Sequence, residues 1–401
     1  MRDSSFSTIF KRLRPGLFPV CGFLYSAILW MTFVFLPAYL KKRGIPDPVI
    51  GTVFGAYSIS TLLLMLPLGI LSDRISPKRI LLCGGLIICL HMLGLQQATR
   101  IWHFIVLGIC GGMGWTIFQI VLLALFLKVI DEQNRGIKIA AYSTGLFLGI
   151  AVGPLVAGML WGEVDYLRLL TFAACGSLIL IICVTGLEDS PPIAFKLEEY
   201  RNDIKQPHVF LFLLICFVYA THLGVEHTAF TLLMKQDLGF SDKAVGLVFF
   251  TVGVWMALIS PLAGRRFDVR QNPSHLLIFG LMASGVFQVA TALVGNLYSM
   301  MLVRILHTMG DTPVYLSIGI LTSIFFPQRR MGGNSAAVYT VRTLGIFTGN
   351  ITAGLAIPWI GYRGVFVGSG LFVVAACLCL YPAIRHYLAH PTRYEVVDAK
   401  Q

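Results

Sequence analysis

The chain has 401 residues, 56% of them hydrophobic and only 12% charged, with a formal net charge of +12 and a mean hydropathy of +0.78. A soluble globule of that composition would expose far too much apolar surface, so a soluble fold is excluded. Apolar runs of about 18 residues or more recur along the whole length, which implies an all-α polytopic membrane protein whose positive charge serves topology and anionic headgroups, not nucleic acid.

The first sixteen residues, MRDSSFSTIFKRLRPG, are basic and lead straight into a spanning segment without a cleavage site, so a cytoplasmic tail is expected rather than a removed signal peptide. Twelve spans are predicted, at 18–40, 50–71, 80–98, 103–126, 138–160, 167–186, 209–233, 244–263, 275–294, 299–325, 336–358 and 364–382. An even number of spans puts both ends of the chain on one side. With Lys138 and Arg168, at the very ends of their spans, counted with the adjoining loops, that side carries 21 of the 31 Lys and Arg and the other side eight, while Arg304 and Arg342 fall well inside spans. The positive-inside rule makes the richer side cytoplasmic; both termini are expected there, in a bacterial or archaeal plasma membrane. The stretch 187–208 is the one long polar segment between spans, a cytoplasmic linker with room for one turn of interfacial helix. It divides an N-terminal six-helix bundle, 1–186, from a C-terminal one with a short cytoplasmic tail, 209–401. Most of the nine Cys sit inside apolar runs without a CxxC pair and read as small buried hydrophobes.

Between the second and third spans lies a tight polar turn, Gly69–Arg79, with Asp73, Arg74 and Lys78 in it. It resembles Gly-x3-Asp-Arg-x-Gly-Arg-Lys, the cytoplasmic loop signature of the major facilitator superfamily, with Ser76 and Pro77 in place of the expected Gly and Arg. The resemblance implies that Gly69 lets helices approach and that Asp73, Arg74 and Lys78 form a charge lock holding one access state. An internal repeat strengthens it. A shift of 195 residues lays Gly44, Asp47, Gly51, Gly69 and Asp73 on Gly239, Asp242, Gly246, Gly264 and Asp268 without a gap, so Gly264 and Asp268 belong to a degenerate second copy of the loop. Two pseudo-symmetric six-helix bundles are the superfamily's architecture.

In the fifth span, Gly145, Gly149, Gly153, Pro154 and Gly158 set glycines along one helix stripe, where another backbone can approach closely. The run is similar to the superfamily's antiporter motif, Gly-x3-Gly-Pro-x2-Gly-Gly, with Ala157 for one Gly, and that resemblance implies the drug- or metabolite–proton antiporter branch. A generic packing stripe is the other reading. The eleventh span echoes part of it in Gly345, Gly349 and Gly354.

Ionisable residues at membrane depth cost about 2.5–3.5 kcal/mol each on insertion scales if they face lipid, so they mark a cavity, a partner or a pathway. In the seventh span His222 and Glu226 are four apart and share a face, with His227 beside them. In the tenth, Arg304, His307 and Asp311 follow at i, i+3 and i+7 on one stripe, and Arg342 lies two turns inside the eleventh. A carboxylate beside imidazoles is what a proton carrier needs. Glu226 is the expected coupling carboxylate, with His222 setting its proton affinity and Asp311 beside His307 as its rival. Arg304 or Arg342 would meet an anionic group.

The expected function is secondary active transport of a small organic solute by alternating access, as proton-coupled efflux. The alternatives are a proton symporter importing an anionic metabolite and a non-transporting membrane sensor or scaffold. The expected partners are the solute, protons and the lipid bilayer. No enzyme activity, cofactor, metal or nucleic acid is implied, and the chain is expected to act as a monomer.

Overall fold

The computed structural model describes residues 16–33, 36, 39–40, 43–44, 47–131, 133–160, 166–191 and 197–389. The expected tails, and the middle of the 187–208 linker, therefore lie largely outside the described residues. Among those described there is no strand. Backbone polar groups in hydrocarbon must be satisfied within the segment, and long helices do that.

The helices run as α1 (Leu17–Phe33), α2 (Asp47–Arg74), α3 (Pro77–Gln97), α4 (Ile101–Val129), α5 (Arg135–Leu160) and α6 (Tyr166–Thr185). After a short linker helix, Leu197–Ile204, come α7 (Pro207–Leu232), α8 (Asp242–Arg270), α9 (Pro273–Thr291) and α10 (Leu297–Phe325). The last helical stretch, Met331–Leu388, breaks at Gly361, whose φ of 67° is left-handed. We name its two pieces α11 (331–360) and α12 (362–388). Eight of the described helices are long and apolar enough to cross a membrane by length and composition. The α10 helix carries Arg304 and Asp311 in its apolar run.

Local chemistry sets where helices start. Ser76, Ser241, Asn272 and Asn296 accept a hydrogen bond from a backbone N–H of the first turn, and Pro77 and Pro273 stand just inside, where a missing N–H costs nothing. The sequence repeat is visible as geometry. Gly44 (φ 76°) and Gly239 (φ 65°) make the same left-handed turn, and α2 and α8 then begin at Asp47 and Asp242, one repeat apart.

By contacts the chain divides into two compact units, residues 1–130 with 142–194, and residues 131–141 with 195–401. In the first unit the α5 glycines lie on the α1 backbone. A Cβ on Gly149 would come within 2.6 Å of the Phe23 carbonyl oxygen, and one on Gly153 within 2.5 Å of that of Ala27. Gly145 meets Pro19 in the same way. Gly158 lies outside the residues whose packing is described. The second unit repeats the device, with Gly345 and Gly349 of α11 on the carbonyls of Phe217 and Thr221 in α7. Gly280 and Gly310 do the same for α9 and α10, where a Cβ on either would sit 2.7 Å from the other's carbonyl oxygen or its partner backbone.

The two copies of the loop signature are used differently. In the first unit Asp73 is buried and pairs with Lys128 of α4 at 2.6 Å, while Lys128 also donates to the Ser72 carbonyl at 3.0 Å. The Lys78 backbone N–H donates to Asp189 (3.2 Å), and its ammonium donates to the carbonyls of Thr185 and Leu187. In the second unit Asp268 accepts from the backbone N–H groups of Gly136 (2.8 Å) and Ile137 (2.9 Å), a carboxylate at the N-terminus of α5. Gly264 makes room for it, since a Cβ there would lie 2.5 Å from the Gly136 carbonyl oxygen. The linker helix is docked on the start of α11 by Asp203 and Glu199, both bonded to Arg330, and by Asn334 donating to Asp203 (2.8 Å). The nine cysteines are unbonded, but Cys83, Cys175 and Cys379 are exposed on helix surfaces, not buried as expected. On a lipid-facing helix a thiol is as acceptable as a methyl group.

Two stability experiments follow from this packing. Gly349→Ala drives a methyl into the Thr221 carbonyl and should destabilise by about 1–3 kcal/mol, whereas Gly354→Ala, with nothing within 4 Å of its Cβ, should leave the thermal midpoint unchanged or slightly higher. Asp73→Asn strands the Lys128 ammonium and should cost about 3–5 kcal/mol. Removing both charges, Asp73→Leu with Lys128→Met, should restore most of that loss in the same unfolding assay.

Candidate functional site

The ionisable side chains singled out in α7 and α10 converge inside the second unit. Helix periodicity puts His222 and Glu226 on one face of α7, and Arg304, His307 and Asp311 on one stripe of α10. Close glycine packing of α9 on α10 adds Ser284 between them.

Two sub-clusters result. Arg304 Nη1 donates to Glu226 Oε1 at 2.5 Å, and the guanidinium lies 4.6 Å from the centroid of the Phe230 ring. Arg304 is buried, as are His222, His307 and Asp311, and its Nε has no hydrogen-bond partner. Asp311 forms the second centre. Ser284 Oγ donates to Asp311 Oδ1 at 2.7 Å, His222 Nε2 stands 3.4 Å from the same oxygen, and His307 Nδ1 stands 3.0 Å from Oδ2 without hydrogen-bonding alignment. His307 Nε2 reaches towards Glu226 Oε1 at 3.5 Å and so links the centres.

The backbone fixes the chemistry of one imidazole. His222 Nδ1 donates to the Tyr219 carbonyl one turn earlier, which leaves Nε2 as the nitrogen that gains or loses a proton. A proton arriving there meets acceptors already in place, Ser284 Oγ at 3.3 Å and the Asp311 carboxylate. His222, Glu226 and His307 also bring ligand atoms within 4.8 Å of one another, a span that a metal ion could bridge. Glu226, however, is already occupied by a permanent cation, Arg304.

The expected pairing is thus only partly what the geometry gives. His222 faces Asp311, not Glu226, and His227 is exposed and makes none of these contacts. Arg342 stands apart from the cluster, 5.2 Å from the Tyr315 ring centroid and 5.6 Å from that of Tyr339. Sequence reasoning missed Ser284, a lone hydroxyl in an apolar run, and Lys128, whose position at the end of an apolar span was a usable signal. The signature residues Gly69, Arg74 and Lys78 sit at the end of α2 and the start of α3, where Lys78 serves the α6 end and the residues that follow it. In the first unit Tyr25 stacks on Phe118 and meets Trp115 at a tilt, and Tyr57 Oη lies 2.7 Å from His91 Nε2, a buried hydrogen bond.

Comparison with known proteins addresses the family and the fold. The chain is 23% identical over 384 residues to a multi-drug resistance efflux pump PmrA homolog of Lactococcus lactis, covering 92% of this chain and 94% of that protein. It is 24% identical over 364 residues to the multidrug resistance protein MdtG of Salmonella paratyphi C, covering 86% and 88%. Among solved structures, the human organic anion transporter MFSD10 (TETRAN) superposes with a TM-score of 0.79 at 14% identity, over 92% of this chain and 99% of that one. The sequence profile of the Major Facilitator Superfamily matches residues 20–230 and again 212–398, nearly the whole chain in two overlapping passes. An all-helical chain with a repeated loop signature, matched by that profile from end to end, belongs to the Major Facilitator Superfamily.

Proposed function

We propose that this secondary transporter is a proton-coupled exporter of small organic solutes, working by alternating access, with Asp311, His222 and His307 carrying the proton. The observation that carries this reading is the identity of each carboxylate's partner. Glu226 is held by a guanidinium, which does not release its proton at any physiological pH. Protonating Glu226 would leave a buried, unpaired arginine, a loss of about 3–5 kcal/mol by analogy with broken buried pairs. Asp311 faces two imidazoles and a hydroxyl instead, and imidazole is the side chain whose charge changes near neutral pH.

A charge count supports the same assignment. With both imidazoles neutral, Glu226 and Asp311 against Arg304 leave one net negative charge among the residues of the cluster. One proton shared by Asp311, His222 and His307 brings it to neutrality. Low dielectric favours that state, so the cluster is suited to take up and give back a single proton per cycle. The similarity to two proteins named as multidrug efflux or resistance proteins supports export as the direction.

The test uses purified protein in liposomes with an imposed pH gradient and a solute found by screening a panel for gradient-driven uptake. Asp311→Asn is expected to abolish uphill accumulation while exchange between equal pools persists. The double variant Glu226→Gln with Arg304→Gln, which removes a neutral pair together, is expected to retain accumulation. Full accumulation by Asp311→Asn would show that the carrier lies elsewhere.

We also propose that the termini and linker face the cytoplasm. Tyr200 is buried, but Asn202 is exposed on the linker helix. A single cysteine at position 202, in a chain with its native cysteines replaced, should react with an impermeant maleimide only after the cells are opened. Labelling from outside in intact cells would overturn the orientation.

A further inference from the structure

Among the described residues inside the spans of the second unit, one charge, that of Arg342, lacks an opposite charge. Glu226 and Arg304 neutralise each other, and Asp311 has its imidazoles. Arg342 has no ion pair with a carboxylate among the described residues, and its buried Nε has no hydrogen-bond partner. Its guanidinium lies 5.2 Å from the ring centroid of Tyr315 on α10 and 5.6 Å from that of Tyr339 on α11, and Tyr219 and Cys216 of α7 are near enough to interact with it electrostatically. Aromatic faces stabilise a guanidinium but do not neutralise it. The α11 backbone at this level is pinned to α7 by Gly345 and Gly349, and Tyr219 is fully buried, so the guanidinium cannot relax away by a helix shift. A cation held at membrane depth between aromatic walls, with donors left over, is a receptor for an anion that brings its own apolar body.

We propose that Arg342, with Tyr315 and Tyr339 as walls, is the subsite that receives the acidic group of an amphipathic organic anion, a carboxylate or sulfonate attached to a flat apolar ring system. This rests on the reading of the chain as a transporter of small organic solutes, and it names the substrate class. The fork of the guanidinium fits two carboxylate oxygens, and the tyrosine rings take the ring system beside it. Arg304 is not an equivalent candidate, because Glu226 already occupies it at 2.5 Å.

Equilibrium binding by calorimetry, on full-length protein in nanodiscs with no gradient, tests this with two probes of matched shape, 1-naphthoate and 1-naphthylmethylammonium. Wild-type protein is expected to bind the naphthoate more tightly than the ammonium. Arg342→Gln should weaken naphthoate binding at least tenfold, and Arg342→Lys, which keeps the charge but loses the fork, should fall between. The weak ammonium binding should not change. Where Arg342→Gln does not yield monodisperse protein, Tyr315→Leu with Tyr339→Leu decides the matter, with naphthoate binding expected to fall at least threefold. Equal or better binding of the ammonium by wild type, no binding of naphthoate, or wild-type affinity in the deciding variant overturns the proposal. Asp311→Asn protein separates the two readings. If it loses uphill accumulation but binds naphthoate normally, proton coupling and the anion subsite both stand. If naphthoate binding fails in wild type while gradient-driven flux of another solute continues, only the subsite falls.

Discussion

A charge inside hydrocarbon is costly unless an opposite charge stands within a few ångströms, and apart from Arg342 the buried charges discussed above meet that requirement. Asp73 and Lys128 meet at 2.6 Å in the first unit, and Arg304 and Glu226 at 2.5 Å in the second. Asp311 is served differently. Its neighbours include two imidazoles, whose charge depends on whether a proton is present. Under the coupling role proposed for Asp311, that difference separates structural charges from a working one. A permanent pair resists change, because altering either member strands the other. A carboxylate among imidazoles has two acceptable states separated by one proton, and a carrier needs two such states.

Much of the fold was legible in the sequence because its signals are local or periodic. Spans follow from apolar length, and the matching α2 and α8 starts from the repeat. The candidate site was legible as a list but not as a set of pairs. Periodicity placed His222 with Glu226 on one face of α7, and the structure keeps that face, yet turns His222 to Asp311 and Glu226 to Arg304. Partner choice across helices depends on each helix's rotation and on close glycine contacts, and neither has a period to read. Ser284 shows the same gap, since one hydroxyl in LMASGVF looks identical whether it caps its own helix or donates to a carboxylate on the next. The loop signature carried another ambiguity, as one pattern gives an internal ion pair at Asp73 and a helix-terminus carboxylate at Asp268.

The glycines decide why the charged faces meet at all. Without a hydrophobic force between helices in lipid, close backbone approach supplies the packing, and the approach is tightest where small residues line up. Gly280, one turn before Ser284, and Gly310, next to Asp311, bring α9 against α10, and Gly345 and Gly349 hold α11 on α7 beside Tyr219. Tyr219 sits on that α7 turn. Its carbonyl takes the His222 Nδ1–H, and its hydroxyl lies 3.5 Å from the Asp311 carbonyl. A backbone pinned this closely leaves α7 little freedom to move one of these contacts without the others. The tautomer of His222 and the α7 contact to the Asp311 backbone are therefore tied to the same helix turn, and the packing that holds that turn is also what makes its polar groups interdependent.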